Sequence, residues 1–322
     1  MAERATDSKA HMRRCAATAG GAGLLVLSLL ALQVRAQDLG TLNPKPLAPI
    51  AHVTAATPAK ALFGRVETPA GVATRTIGFY ARGCLSGGIA LPVNGPDWQV
   101  MRVSRNRYWG TPQLIAFLER FAKKVPKVSH WPGILVGDMS QPRGGPMLSG
   151  HASHQIGLDV DIWLKPMPSR TLTPAEREEM MSTDVVRADR RDVDPKVWTP
   201  DDVAVIKAAA EDPEVQRIFV NAAIKKALCR DARGDRSWLA KVRPYWGHEY
   251  HFHVRLACPK DQPLCEGQEP VAPGDGCDKA SLAYWFTDAV LHPAPSLEPA
   301  RPRPALTLAQ LPAPCRTLLT QK

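Results

Sequence analysis

Past residue 36 the sequence has no apolar run long enough to cross a bilayer, so nothing later in it reads as a transmembrane helix. It has no Cys-x-x-Cys pair, which argues against a zinc ribbon. Helix-turn-helix, RNP and zinc-finger patterns are missing, so its positive charge comes without a nucleic-acid-reading module. No internal repeat is visible, which excludes a solenoid. Ser-x-x-Lys does not occur, and with it goes the serine nucleophile of that acyl-enzyme class.

What is there is a chain of 322 residues, enough for one large domain or two small ones. Hydrophobic residues at 44% and charged residues at 22% give an ordinary globular composition. The 30 prolines gather towards the two ends. At the start, Arg13 and Arg14 precede an apolar run from about Ala16, with Leu24 to Leu32 as its heart. Val34-Arg35-Ala36 then offers small residues at the positions a signal peptidase reads. Residues 1–36 therefore read as a signal peptide; an uncleaved anchor is the alternative. Residues 37–60 form a Pro/Ala-rich lead-in, 61–292 the working domain and 293–322 a Pro-rich tail that carries Cys315.

Six cysteines remain after the leader: Cys84, Cys229, Cys258, Cys265, Cys277 and Cys315. An even count in an exported chain reads as three disulfides, with about 15 pairings open. The formal charge is +10, and removing the leader's five Lys/Arg and two Asp/Glu leaves about +7. Such a chain suits an anionic polymer. Outside the cytoplasm, a cell wall whose peptides carry free carboxylates fits better than nucleic acid.

Two helix starts are legible. Thr111 precedes Pro112, and Leu114, Leu118, Phe121 and Val125 follow as one apolar stripe. Thr199 and Pro200 repeat the start, with Asp201 and Asp202 suiting a helix N-terminus. Strand-like runs occupy Gly133 to Asp138, Leu158 to Leu164 and His251 to Leu256. Helices and short strands without regular alternation predict an α+β fold: a small antiparallel sheet with flanking helices, stapled by disulfides.

Five of the nine histidines fall in two short windows: His151 and His154 in the first, His248, His251 and His253 in the second. On the first strand Leu158, Val160, Ile162 and Leu164 share one face, with Asp159, Asp161 and Trp163 on the other. On the second, Phe252, Val254 and Leu256 lie opposite His251, His253 and Arg255. If these strands are neighbours, Asp161 meets His253, and a turn at Gly157 brings His154 to the same point. A His, Asp, His set suits zinc and leaves a fourth position open, the catalytic arrangement. Alternate strand residues sit roughly 7 Å apart, so His251 and His253 do not share one metal, and one of them acts beside it.

These residues resemble the superfamily of lysostaphin-type peptidases, D-Ala-D-Ala metallopeptidases and hedgehog domains. The longer strings are similar to penicillin-insensitive murein endopeptidases: Gly-His-Ala-Ser-His-Gln-x-Gly-Leu-Asp-Val-Asp (150–161), His-Val-Arg-Leu-x-Cys-Pro (253–259), Gln99 to Arg102, Val136 to Met139, Arg217 to Asn221, Lys241 to Pro244 and Gly274 to Cys277. The resemblance runs from about Gly78 to Cys315. It implies His154, Asp161 and His253 as zinc ligands, His251 as the catalytic group, and His151 and His248 as accessory histidines. It implies hydrolysis of D-alanyl-meso-diaminopimelyl bonds in murein cross-links, in the periplasm, and leaves a homodimer open. Pairings 84–315, 229–277 and 258–265 are consistent with it. The Asp-x-x-His pair of a second, intersubunit zinc site has no counterpart between Ser182 and Pro195.

Two other readings stand beside this one. A zinc D,D-carboxypeptidase or dipeptidase needs a cation in a closed pocket, for which Arg102, Arg107 and Arg143 are the candidates. A non-catalytic wall-binding protein would have lost a ligand, and none is lost. For the leader, N-terminal sequencing of exported protein is expected to begin near Gln37; an intact Met1 on a membrane-bound form would instead mean an anchor.

Overall fold

The structure, a computed structural model, describes residues 39–293 and 304–321. The expected signal peptide and its expected cleavage point near Gln37 lie outside the described residues, as does part of the Pro-rich tail.

The strands of the main sheet are β1 (Trp98–Val100), β2 (Ile134–Val136), β3 (Asp159–Pro166), β4 (Val215–Val220), β5 (Val242–Pro244) and β6 (His251–Leu256). They lie in the order β1-β2-β3-β6-β4-β5. The expected antiparallel sheet is present as its centre, where β2, β3, β6 and β4 alternate in direction. Each edge adds a parallel neighbour, β1 beside β2 and β5 beside β4, so the sheet is mixed. These short edge strands were not legible because parallel partners are joined through distant chain.

Apolar alternation sets which face is buried. Val160, Ile162 and Leu164 of β3 and Phe252, Val254 and Leu256 of β6 belong to one core cluster. Helix α1 (Pro112–Val128) covers that face. Thr111 Oγ1 accepts the Leu114 N–H at 3.2 Å, and Pro112 occupies the first turn, where its missing N–H is no loss. The predicted stripe of Leu114, Leu118, Phe121 and Val125 is buried, and Phe121 meets Phe252 edge-on at 6.4 Å. Helix α2 (Pro200–Ala210) begins with a capping box, Thr199 N donating to Asp202 Oδ2 at 2.8 Å. Helix α3 (Ala222–Asp231) follows β4 directly and is capped by Asn221.

A hairpin, Arg75–Phe79 with Arg82–Ser86, stands apart from this sheet. It packs with the short helices Ala59–Phe63 and Ala313–Leu318 in a second cluster that contains Phe63, Ile77, Leu311 and Leu318. The cysteines pair as Cys84–Cys315, Cys229–Cys277 and Cys258–Cys265. Among the described residues no helix is long and apolar enough to cross a membrane.

Gly157 leads into β3 with φ at +77°, in the left-handed region, and a Cβ there would stand 2.8 Å from Leu85 Cδ1. Gly157→Ala is therefore expected to destabilise the fold by about 1–3 kcal/mol. Urea unfolding measures it, and an unchanged midpoint would show that the turn tolerates a side chain.

Candidate metal centre

β3 and β6 are adjacent, and their register sets Asp161 opposite His253 and Trp163 opposite His251. The polar face of each strand thus meets the other on the side away from α1. His154 arrives from the loop before β3 in a left-handed conformation, φ +64°. That backbone is clamped at both ends: its N–H donates to Asp159 Oδ2 at 3.0 Å, and its carbonyl accepts Ser140 Oγ at 2.6 Å.

Three atoms converge. His154 Nε2 lies 3.1 Å from His253 Nδ1 and 3.4 Å from Asp161 Oδ1, and His253 Nδ1 lies 3.4 Å from the same oxygen. His154 is 0% exposed, His253 3% and Asp161 4%, so water does not compensate them. Asp161 Oδ1 has no hydrogen-bond partner. A buried carboxylate oxygen without a donor is costly, and a cation between it and two imidazole lone pairs removes the cost. Ligands about 2.0–2.2 Å from a tetrahedral ion stand roughly 3.3–3.5 Å apart, close to the spacing here. The residues therefore fit a zinc-sized ion. His151 stands close by, with ligand atoms of His151, His154 and Asp161 all within 4.8 Å of one another.

The remaining histidines divide by their partners. His151 Nε2 lies 3.0 Å from Asp138 Oδ2 and 3.5 Å from Asp161 Oδ2. Burial works against its charge, but Asp161 and Asp138 outweigh that and raise its pKa. His251 Nε2 is 3.6 Å from Asp161 Oδ1, and neither of its ring nitrogens has a hydrogen-bond partner. Burial, opposed by Asp161, pushes His251 down to about 3; burial, opposed by Asp159, pushes His253 down to about 4. Both are therefore neutral near pH 7, the form that offers a lone pair to a metal. His248 Nδ1 lies 2.7 Å from the Trp246 carbonyl, which can only accept, so Nδ1 carries the hydrogen and Nε2 the lone pair.

Two carboxylates whose roles the sequence reading did not assign hold this face together. Asp138 Oδ2 accepts from Arg107 Nη1 at 2.9 Å and Arg105 Nη1 at 3.2 Å as well as facing His151. Burial alone would raise its pKa; His151 and the two arginines hold it well below the carboxylate range. Asp159 is 0% exposed, accepts from Arg255 Nε at 2.8 Å, and stands 3.0 Å from His253 Nε2. It touches His253 on the ring nitrogen turned away from the cluster, and so orients the ring. The available signal was Asp159-x-Asp161 on one strand face, opposite Arg255 and His253.

The candidate carboxylate grips already have partners. Arg102 Nη1 and Nη2 donate to the Arg177 and Met180 carbonyls, both at 2.8 Å. Arg143 holds the Thr68 and Leu318 carbonyls. Arg107 is tied to Asp138 and Ser149.

A disulfide-stapled α+β sheet with a buried His/Asp cluster able to take a metal ion defines the class of protein. A family profile described as penicillin-insensitive murein endopeptidase matches residues 76–320. The chain belongs to that family. Proteins of that name resemble it in Yersinia enterocolitica, 44% identical over 84% of this chain and 93% of the relative, and in Klebsiella pneumoniae, 43% identical over 83% and 92%. One from Haemophilus influenzae is 46% identical over 70% of this chain and 77% of its own.

Asp159→Asn is expected to leave Arg255 buried beside an uncharged partner and to destabilise the protein by about 3–5 kcal/mol. It should also weaken divalent-metal binding by roughly 10- to 100-fold. Urea unfolding and competitive metal titration read the two effects, and a variant as stable and as metal-avid as the parent removes Asp159 from this role.

Proposed function

We propose that this protein is a penicillin-insensitive murein endopeptidase that uses zinc to hydrolyse the D-alanyl-meso-diaminopimelyl amide bonds of peptidoglycan cross-links. The observation that carries the reading is the convergence of His154 Nε2, Asp161 Oδ1 and His253 Nδ1 at 3.1–3.4 Å, in a chain of this family. These three would hold the ion, while His151 stays with Asp138. When bound, zinc supplies Lewis acidity, polarising the scissile carbonyl and lowering the pKa of a water to about 7.

The chain's own residues do the rest. His251, buried and neutral, has one nitrogen with a hydrogen to donate and one with a lone pair to accept a proton. It can serve the developing oxyanion or take the proton of the attacking water. His248 turns its unprotonated Nε2 away from the Trp246 carbonyl, with its ring 4.7 Å from that of His251. Asp159 keeps His253 in place. No serine takes part, so a β-lactam meets no Ser-x-x-Lys nucleophile to acylate. The leader, the basic charge and the disulfides support action in the periplasm, on the 37–322 chain with its working domain at 61–292.

Purified murein digested with this protein should yield monomeric muropeptides by mass, and a chelator should abolish the products until zinc is restored. His154→Ala, Asp161→Ala and His253→Ala should each lose bound metal and cleavage together. His251→Ala should keep its metal and lose about 100- to 10,000-fold in rate. Full cleavage by a metal-free preparation would overturn the reading.

A further inference from the structure

Beside the loop that carries His248 lies a small, shallow pocket that the chemistry above does not use. Its lining includes Arg190, Tyr245, Trp246, Trp285, Val290 and Leu291. The Trp246 and Trp285 rings meet at 5.3 Å and 61°, and Tyr284 continues the row 5.5 Å from Trp285. Trp246 is 46% exposed and Tyr284 59%, whereas Val290 and Leu291 are buried. Large aromatic rings left in a row at the surface mark an interaction site.

The row begins at the candidate metal centre. Tyr245 and Trp246 sit on the loop that carries His248, and the Tyr245 ring is 5.6 Å from the His248 ring. The loop is tied to the end of β4 and the start of α3: Tyr245 N donates to the Val220 carbonyl at 2.8 Å, Asn221 N to the His248 carbonyl at 3.1 Å, and Asn221 Nδ2 to the Gly247 carbonyl at 3.0 Å. The aromatic shelf and His248 therefore share one fixed frame.

We infer that this shelf binds a sugar ring of the glycan strand adjoining the cross-link to be cut. The inference rests on the murein reading above. A cross-linked substrate offers two chemistries, short peptides and the glycan that bears them. Alanine methyls and the charged ends of diaminopimelate present no flat apolar face to an indole. A pyranose presents a face of C–H groups, with hydroxyl and acetamido groups at its edge. Arg190, in the same lining, brings a partly exposed guanidinium towards those oxygens; its Nη1 makes a 3.4 Å contact with the Leu291 carbonyl, and its buried Nε lies 4.0 Å from Glu249 Oε1. Because the stem peptide is covalently attached to the sugar, a sugar held on the shelf raises the local concentration of the peptide at His154, Asp161 and His253.

The test compares two substrates: a cross-linked peptide dimer that carries its disaccharides, and the same dimer with the sugars removed by an amidase. For Trp246→Ala and Trp285→Ala, the ratio of kcat/KM on the first substrate to that on the second should fall roughly tenfold, through KM. Peptide-free glycan strands, titrated by calorimetry, should bind the parent protein and bind either variant more weakly by a similar factor. That titration needs no cleavage, so it tests the shelf even if murein hydrolysis itself is not found. An equal loss on both substrates would assign the shelf to the stem peptide and overturn the inference. An unchanged ratio with no glycan binding would overturn it as well. A parent dimer that becomes monomeric in Trp285→Ala, without glycan binding, would make the shelf a contact between copies and likewise overturn it.

Discussion

The pairing of β3 with β6 in one register holds Asp161 opposite His253, and the candidate centre depends on it. Side chains alternate across a strand, so a slip of either strand by one residue would turn its own group into the core and bring Val160 or Val254 to the polar side. That slip is blocked by packing, since Phe252, Val254 and Leu256 are buried among the apolar residues of α1 and β3. Neighbours on the outer sides of both strands add to the constraint: Asp161 N donates to the Asp138 carbonyl at 3.0 Å, and β4 pairs with β6 across His253 and Phe219. The cluster's geometry is inherited from the hydrophobic core behind it.

Buried charge on the polar face is almost fully answered. Asp138 has two arginines and His151, and Asp159 has Arg255, His253 and the His154 N–H. Asp161 Oδ1 is the exception, buried without a hydrogen-bond donor between two imidazoles. Native proteins leave such a group where function requires it. The left-handed backbones of His154 and His248 tell the same story, since conformations of that kind persist only where surrounding contacts over-determine them.

The C-terminal segment reaches the site through the hairpin. Cys315 is bonded to Cys84 on the hairpin, and Arg143 holds the Leu318 carbonyl. From the hairpin, Gly83 N donates to Gln155 Oε1 at 3.1 Å, and Gln155 follows His154 directly. A covalent and hydrogen-bonded path thus runs from the C-terminal helix to the loop that presents His154.

Local pattern alone determined much of this protein. The period-two alternation of β3 and β6, the Thr-Pro starts of α1 and α2, and the turn at Gly157 are properties of a few consecutive residues, which is why they were legible. Asp161 and His253 were legible as neighbours because alternation names the face each strand residue occupies, and His154 because a turn at Gly157 carries it to the same point. Tertiary structure decided what depends on distant chain: the parallel edge strands β1 and β5, and the backbone duties of Arg102 and Arg143. It also decided the anchoring of Asp138 and Asp159, and the meeting of Trp246 with Trp285 across 39 positions of sequence. A charged or aromatic side chain reads the same in sequence whether it faces solvent or a partner, and only packing settles which atoms it meets.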